Sequence, residues 1–215
     1  MNESEAELRK QIIHYAKRLS ADGLSPGKSG NISVRFGNGC LITPSATDYD
    51  QLTSDDIVLI DLSGKIIRSM AKPSSEWHFH CGIYLNRSDV QAVVHTHSTY
   101  STALACAHKN IPAFHYMVAV AGGKDIPLVD YALFGTTELS ENVVAGLLER
   151  NACLLANHGL VSVAENLEKA FNLTAEVECL AKQYCEVLKL GEPQLLTDAE
   201  MALVMNKFNH YGQRT

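Results

Sequence analysis

Residues 90–97 read Val-Gln-Ala-Val-Val-His-Thr-His, an apolar run that ends in two histidines. The β-branched residues of 90–95 predict a strand. Side chains two residues apart in a strand point to the same side, so His95 and His97 can converge on one ion. Histidine is the commonest metal ligand, and catalytic zinc sites typically use three protein ligands and one open position. On this pattern alone, a metal site and a pair of structural histidines stay equally open.

Two further residues can complete such a site. His158 stands in Asn-His-Gly between two apolar runs, where a loop can place a side chain at the end of a sheet. Glu76 follows Ser74 and Ser75 at an expected helix start, where the helix dipole favours an acid. A turn histidine and a first-turn acid are the ordinary interpretations. A metal ligand is the alternative for both, and a general base is a further one for Glu76.

A second His-x-His pattern, His78 and His80, lies in the helix expected at residues 74–87. Side chains two residues apart in a helix lie about 200° apart and cannot share an ion. This favours a structural or solvent-facing role for both histidines. Glu76 and His80, four residues apart, can still face each other.

The remaining pattern alternates helices with short strands. Apolar spacing and end signals predict helices at 5–22, 74–87, 98–107, 137–150, 166–190 and 198–208. Strands are expected at 32–36, 41–42, 57–61, 65–68, 90–95, 112–120, 152–156 and 160–163, with 57–68 as a hairpin. Helices interleaved with strands indicate one α/β domain over residues 1–215.

The composition excludes several classes of protein. The chain has 215 residues, 46% hydrophobic and 20% charged, with a formal net charge of −6, and no basic run that would favour a nucleic-acid partner. It has no apolar run near the roughly 18 residues that span a bilayer. The polar N-terminus predicts no signal peptide, and six cysteines without a Cys-x-x-Cys pair favour reduced thiols. We therefore expect a cytoplasmic protein that uses neither a membrane nor a nucleic acid.

A glycine- and serine-rich loop is expected at residues 25–31. Its Gly-Lys-Ser triplet lacks the glycine spacing and the strand–loop–helix order of a nucleotide-binding P-loop. Exposed N–H groups in this loop, and those of the helix start at Ser74 and Ser75, can nevertheless hold a phosphate. An ordinary loop and an ordinary helix cap are the alternatives.

Eight short motifs follow one another along the chain. They are Ser-Gly-Asn-Ile-Ser-Val-Arg (29–35), Leu-Ile-Thr-Pro (41–44), Pro-Ser-Ser-Glu-Trp (73–77), Val-Val-His-Thr-His (93–97), His-Tyr-Met (115–117), Ala-Gly-Gly (121–123), Phe-Gly-Thr (134–136) and Asn-His-Gly-Leu (157–160). Together they resemble the class II aldolase and adducin family over nearly the whole chain. The resemblance implies a single domain with a central, mostly antiparallel β-sheet flanked by helices.

The same resemblance implies a metal site and a phosphate pocket. One zinc ion per subunit is expected on Glu76, His95, His97 and His158. The phosphate is expected on Gly30, Asn31, Ser45, Ala46, Ser74 and Ser75.

Three aromatic residues gain roles only through the resemblance, since spacing alone makes them core or tail residues. Tyr116 matches the family's proton-donating tyrosine, and Phe134 is expected to contact substrate. Family members form homotetramers with active sites between subunits. The C-terminal tail, residues 209–215, is therefore expected to carry Tyr211 into a neighbour's site as a catalytic residue.

Two positions depart from the family pattern. The family typically has Thr-Gly where this chain has Ser45-Ala46, and alanine does not easily adopt a positive φ, so we expect a loop of different shape. Lys28-Ser29 stands where small uncharged residues are usual and adds a cation near the expected phosphate.

The implied activity is that of a lyase. A ketose 1-phosphate, either L-fuculose 1-phosphate or a related deoxyketose 1-phosphate, would be cleaved reversibly to dihydroxyacetone phosphate and a small aldehyde such as lactaldehyde, as in fucose metabolism. Zinc would stabilise the enediolate as a Lewis acid. Glu76 would be the base, and Tyr116 would exchange a proton with the aldehyde-side oxygen.

Four alternatives are left open. The 1-phosphates of 5-deoxyribulose and 5-methylthioribulose would use the same residues. A sugar-phosphate 4-epimerase on this fold usually has Asp at the position of Glu76, and a methylthioribulose-phosphate dehydratase lacks the motifs at 73–77 and 115–117. A non-catalytic, adducin-like interaction protein should have lost the ligand histidines, because function belongs to the site and not to the fold.

Overall fold

One eight-stranded sheet with helices on both faces organises the chain in the computed structural model, which describes residues 4–26 and 29–209. The helices are α1 (Glu5–Ala21), α2 (Trp77–Asn86), α3 (Thr99–Cys106), α4 (Thr137–Gly146), α5 (Leu167–Leu190) and α6 (Asp198–Asn209). The strands are β1 (Asn31–Phe36), β2 (Gly39–Ile42), β3 (Val58–Asp61), β4 (Ile66–Arg68), β5 (Ala92–Thr96), β6 (Leu128–Val129), β7 (Ala152–Leu155) and β8 (Gly159–Ala164). Short 3-10 helices lie at Tyr49–Gln51, Ser54–Asp56 and Tyr116–Ala121.

The strand order is β4-β3-β2-β1-β5-β8-β7-β6. Every neighbouring pair is antiparallel except β6 and β7. Although β5 follows β4 in the chain, it pairs with β1 at the centre, where Asn31 lies opposite His95. The predicted α/β class with a central, mostly antiparallel sheet is confirmed.

Neighbouring residues of the central strands face opposite sides of the sheet, as strand geometry requires. Val93 packs in the core beneath α2 and α4, whereas Val94 packs in the core beneath α1 and the start of α5. A third core fills the space between the β7–β8 end and helices α3, α5 and α6. Because His95 is two residues beyond Val93, its ring lies on the α2 side, which is the side that carries the site.

Helix α2 begins later than the sequence suggested. Ser74 Oγ accepts a hydrogen bond from the Glu76 backbone N–H at 3.3 Å, and the backbone N–H of Ser74 donates to Thr43 O at 3.0 Å. Glu76 is therefore the N-cap, with φ −98° and ψ 13°, and Trp77 is the first helical residue. The interpretation of Glu76 as a first-turn acid was wrong, because tethering to the β2 end delays the helix.

The strand expected at residues 112–120 is also wrong. This segment forms the 3-10 helix Tyr116–Ala121, in which Val118 and Ala121 are buried in the core shared with α5 and α6. The apolar residues of this segment thus form the buried face of a helix and not one side of a strand. The other predicted helices and strands are present with shifted ends, and the two-residue strand β6 was missed. Across residues 4–26 and 29–209, no helix is long and apolar enough to cross a membrane.

Candidate metal centre and active site

Three imidazoles meet where β5 ends and where the turn between β7 and β8 lies. The ring centroids of His95, His97 and His158 are 4.9 Å apart in every pair, and the ring planes cross at 71–77°. One ligand atom from each ring lies within 4.8 Å of the others. His95 Nε2 and His97 Nε2 are 3.1 Å apart. Three imidazole donor atoms that converge in this way can bind one ion.

The turn that carries His158 is pressed against the end of β5. Asn157 has a φ of 54°, a left-handed conformation that asparagine tolerates better than most residues. A Cβ on Gly159 would lie 2.3 Å from Thr96 O and 3.0 Å from His97 Cδ2. Only glycine fits there, and its absent side chain lets His158 approach the β5 histidines.

The segment after His97 is anchored from the opposite layer. Helix α3 begins at Thr99, and backbone N–H groups of its first turn donate hydrogen bonds to the carboxylate of Glu178 on α5. Glu178 Oε1 accepts from Tyr100 N at 2.7 Å, and Oε2 accepts from Ser101 N at 2.8 Å. This cap fixes the direction in which the chain leaves the metal centre.

His95 has its tautomer set by the sheet. Its Nδ1 lies 2.9 Å from Leu160 O, and since a carbonyl can only accept, Nδ1–H is the donor. Burial lowers the pKa of His95 to about 3, so the ring is neutral near pH 7. A neutral ring protonated on Nδ1 leaves a lone pair on Nε2, which faces the other two histidines, as in metal-ligating histidines.

Glu76 lies against this group. Its Oε2 is 3.3 Å from His95 Nε2, and its Oε1 is 3.2 Å from His158 Nε2. Burial alone would raise the pKa of Glu76, but His95, His158 and the Asn31 amide outweigh it and hold that pKa well below its ordinary value. Only Oε2 is hydrogen-bonded, by Asn31 Nδ2 at 2.9 Å, while Oε1 is buried without a hydrogen-bond partner among the described residues.

This donor set fits a zinc ion. Imidazole nitrogens and a carboxylate oxygen are among the ligands that Zn²⁺ takes in proteins. The facing nitrogens of His95 and His97, 3.1 Å apart, and the buried Glu76 carboxylate beside them are electron-rich groups, and a cation between them would be bound by all three side chains. The structure thus brings together His95, His97 and His158 as the sequence suggested, with Glu76 beside them.

A cleft of about 330 Å³ opens beside the histidines. All residues predicted to bind substrate line it, together with Glu76, His97 and His158: Gly30, Asn31, Ser45, Ala46, Ser74, Ser75 and Phe134. Tyr131 and Asn157 also line it and were missed. Tyr131 gave no signal, because a single aromatic residue in an irregular stretch has no pattern, and Asn157 was noticed only as a neighbour of His158.

Two positive φ angles shape the floor of the cleft. Gly30 has a φ of 86°, and a Cβ there would lie 2.7 Å from His95 O, so a glycine is needed where the loop enters β1. Ala46 has a φ of 56°. The expectation that alanine would avoid this conformation was wrong. The isolated bridge between Pro44 and Pro73 precedes Ala46 closely, and the fixed path of the chain outweighs the local preference.

Relief of this strain gives a testable result. The left-handed conformation costs a non-glycine residue roughly 1–2 kcal/mol, whereas glycine adds about 0.4–1 kcal/mol of unfolded-state entropy. We expect Ala46→Gly to be stabilising by up to about 1 kcal/mol, which raises the melting temperature by about 2–4 °C for a chain of this size. Differential scanning calorimetry measures it. Ala46→Val should lower the melting temperature, and a lower value for the glycine variant would contradict the account.

Some predicted residues lie away from this cleft. Tyr116 is 50% exposed, its ring lies 6.4 Å from the Phe208 ring of α6, and it is not part of the lining formed by residues 4–26 and 29–209. Lys28, Tyr211 and the tail beyond residue 209 lie outside the described residues. His78 stacks on Trp77 at 3.8 Å, and His80 is buried away from the histidine group.

Residues 10–185 match the family described as "Class II Aldolase and Adducin N-terminal domain". The chain belongs to the class II aldolase and adducin family. Within this family, the 5-methylthioribulose-1-phosphate/5-deoxyribulose-1-phosphate aldolase of Rhodospirillum rubrum is 49% identical over 209 residues, covering 97% of this chain and 94% of that protein. The L-fuculose phosphate aldolase of Escherichia coli is 46% identical over 209 residues, covering 97% of each chain.

A solved structure of the same family agrees. An L-fuculose 1-phosphate aldolase superposes with a TM-score of 0.92 at 42% identity, covering 97% of this chain and 98% of that one. These class II aldolases confirm the predicted family, fold class and aldolase type of lyase. The names of these relatives include L-fuculose 1-phosphate, the substrate expected from the sequence, and the 1-phosphates of 5-methylthioribulose and 5-deoxyribulose, the alternative that the sequence left open.

Proposed function

We propose that this class II aldolase reversibly cleaves a ketose 1-phosphate to dihydroxyacetone phosphate and a small aldehyde, with one zinc ion held by Glu76, His95, His97 and His158. The main support is the cleft that opens directly onto the three-histidine group and an ionised carboxylate. Relatives of 49% and 46% identity that carry aldolase names support the same reaction.

The residues divide the chemistry between them. Zinc, when bound, supplies a Lewis acid for the negative charge that develops on the substrate's oxygens. In the condensation direction, the Glu76 carboxylate takes a proton from the dihydroxyacetone phosphate carbon next to the carbonyl. That carbon's electron pair forms the new bond to the aldehyde carbon, and Tyr116 gives a proton to the aldehyde oxygen. Cleavage is the reverse.

The serine- and glycine-lined end of the cleft is assigned to the phosphate. Backbone N–H groups near Gly30 and Ala46 and the hydroxyls of Ser45, Ser74 and Ser75 are groups that hold anions. Ser74 and Ser75 also lie just before α2, whose N-terminus favours negative charge. Among the described residues, the donors that line this end of the cleft are neutral, and Lys28, expected from the sequence to add a cation here, lies outside them.

We further propose a homotetramer with active sites between subunits. Tyr116 is half-exposed and outside its own cleft, so a neighbour's cleft is where its phenol would act. Tyr131, Leu133 and Phe134 are exposed near the cleft mouth, and exposed apolar clusters mark interfaces. The tail with Tyr211 is assigned to the same neighbour. The six free cysteines are compatible with the cytoplasmic location that we propose.

The identity of the ketose is the open part of the proposal. L-fuculose 1-phosphate is the first candidate, and 5-deoxyribulose 1-phosphate and 5-methylthioribulose 1-phosphate are the second, because relatives of similar identity carry each name. These substrates share the phosphate-bearing end and differ at the aldehyde end. Selection among them belongs to side chains at the cleft mouth, such as Phe134.

One assay tests the reaction and the metal together. The purified protein is incubated with each ketose 1-phosphate, and released dihydroxyacetone phosphate is measured with and without a chelator. We expect release from at least one sugar, a loss of at least about 100-fold with the chelator, and recovery when Zn²⁺ is added back. The fastest sugar identifies the preferred substrate. Zinc-loaded protein that releases nothing from any sugar would contradict the proposal and favour the 4-epimerase.

A further inference from the structure

Behind the Glu76 carboxylate, buried polar side chains form a continuous hydrogen-bonded chain. Glu76 Oε2 is 2.9 Å from Asn31 Nδ2, and Asn31 Oδ1 is 2.5 Å from His80 Nε2. His80 Nδ1 is 2.6 Å from Ser33 Oγ, which is 2.8 Å from Tyr84 OH. His80 and Ser33 are fully buried. This series of hydrogen bonds therefore runs from the cleft into the core on the α2 side of the sheet.

The side-chain spacing of a strand and that of a helix together produce this series of hydrogen bonds. Asn31 and Ser33 are two residues apart on β1 and point to the same side of the sheet, towards α2. Glu76, the N-cap of α2, is followed at intervals of four residues by His80 and Tyr84, which lie within the helix. This spacing places all three on one face of α2. The strand and the helix thus present alternating polar groups to each other, where apolar packing would otherwise lie.

The direction of every hydrogen bond follows from the carboxylate end. An ionised carboxylate only accepts, so Asn31 donates with Nδ2 and its Oδ1 faces His80. His80 Nε2 must then carry the proton. Burial lowers the pKa of His80 to about 3, so Nδ1 is unprotonated and accepts from the Ser33 hydroxyl. Ser33 Oγ in turn accepts from Tyr84 OH.

We propose that His80 is a positioning residue, which fixes the Asn31 amide so that its N–H₂ holds Glu76 Oε2 beside His95 and leaves Oε1 facing His158. The role assigned to Glu76 rests on the proposed function. Without the His80 donor, Asn31 Oδ1 loses its buried hydrogen-bond partner, and the amide that holds Glu76 is fixed at one point and no longer at two. Outer partners of this kind tune metal ligands, and their loss typically costs about 10–100-fold in metal affinity or activity.

The test uses His80→Phe, which keeps a buried ring and removes both nitrogens. We expect the affinity for Zn²⁺, measured by chelator competition, to fall by about 10-fold or more. In the Co²⁺-loaded protein, the visible absorption bands should shift, because the carboxylate ligand changes its orientation. In the aldolase assay, kcat should fall by about 10-fold or more, while KM changes by less than about 3-fold.

Three comparison variants separate positioning from packing. His80→Gln can place an amide donor near Asn31 Oδ1, and we expect it to recover most of the zinc affinity. Ser33→Ala removes the partner of Nδ1 and should have a smaller effect in the same direction. Thr174→Val removes a buried hydrogen bond to Ala170 O within α5, which is not part of the hydrogen-bonded series from Glu76 to Tyr84, and should leave zinc affinity and kcat unchanged.

His80→Phe with wild-type zinc affinity and cobalt spectrum would overturn the proposal, as would His80→Gln that is as impaired as His80→Phe. If His80→Phe does not fold, Ser33→Ala decides: reduced zinc affinity supports the proposal, and wild-type affinity with wild-type kcat overturns it. The metal measurements need no substrate. A wild-type protein that binds zinc but cleaves no ketose phosphate therefore contradicts the proposed function and leaves the test of His80 intact.

Discussion

Replacing His95 by alanine is expected to remove most of the bound zinc and to reduce turnover by at least about 1,000-fold. His95 is fully buried, and its Nε2 faces His97, His158 and Glu76. Alanine carries no donor atom, so one of the three converging imidazole ligands is lost. Elemental analysis of the purified variant and the dihydroxyacetone phosphate assay measure the two effects.

His14→Ala is the matched control for this experiment. His14 is an exposed histidine of α1, remote from the cleft lining, so its loss should change neither zinc content nor turnover. Circular dichroism of both variants should match the wild type. A His95→Ala variant that is fully active without bound metal would remove the metal from the mechanism.

Tyr116→Phe is expected to keep the zinc and to lower kcat by about 100-fold or more, which is the usual contribution of a positioned proton donor. The ring can still stack with Phe208, so the loss is confined to the phenolic proton. Zinc content and kcat of the same preparation give the measurement. Tyr100→Phe, a tyrosine of α3 outside the cleft lining, is the control and should behave as wild type. Wild-type turnover in Tyr116→Phe would end its assignment as proton donor.

Mixing the two inactive variants tests whether sites are shared between subunits. If Tyr116 serves a neighbour's cleft, then subunits exchanged between His95→Ala and Tyr116→Phe form some sites with an intact His95 and an intact Tyr116. Activity should then reappear in the mixture. If each tyrosine served its own chain, no intact site could form and the mixture would stay inactive.

The sequence predicted the parts of the site that depend on local periodicity. His95 and His97 share a side because β5 is a strand, and this holds whatever surrounds them. The loop position of His158 was also predictable, although its distance from β5 depends on Gly159 and the β5–β8 pairing. The start of α2 was misjudged because the tether of Ser74 to Thr43 joins residues that are distant in sequence.

His80 shows the limit more clearly. Helix geometry predicted that it does not share an ion with His78, but a structural or solvent-facing role was as far as the spacing could lead. Its contact with Asn31 depends on how β1 lies against α2, over a separation of 49 residues in the chain. Likewise, the strand expected around Tyr116 failed because the burial of its neighbours against α5 and α6 outweighs local strand preference.

The pairing of Asn31 with His95 across the β1–β5 ladder has a consequence for selectivity. On the proposed function, the loop assigned to the phosphate enters the sheet directly opposite His95, so the backbone hydrogen bonds between β1 and β5 set the distance between the proposed phosphate and metal subsites. We therefore expect the protein to accept substrates whose phosphate and carbonyl groups have the separation that this fixed distance requires. Substrates should then differ only in the part of the molecule beyond the carbonyl, next to the exposed side chains of Tyr131 and Phe134 that line the cleft.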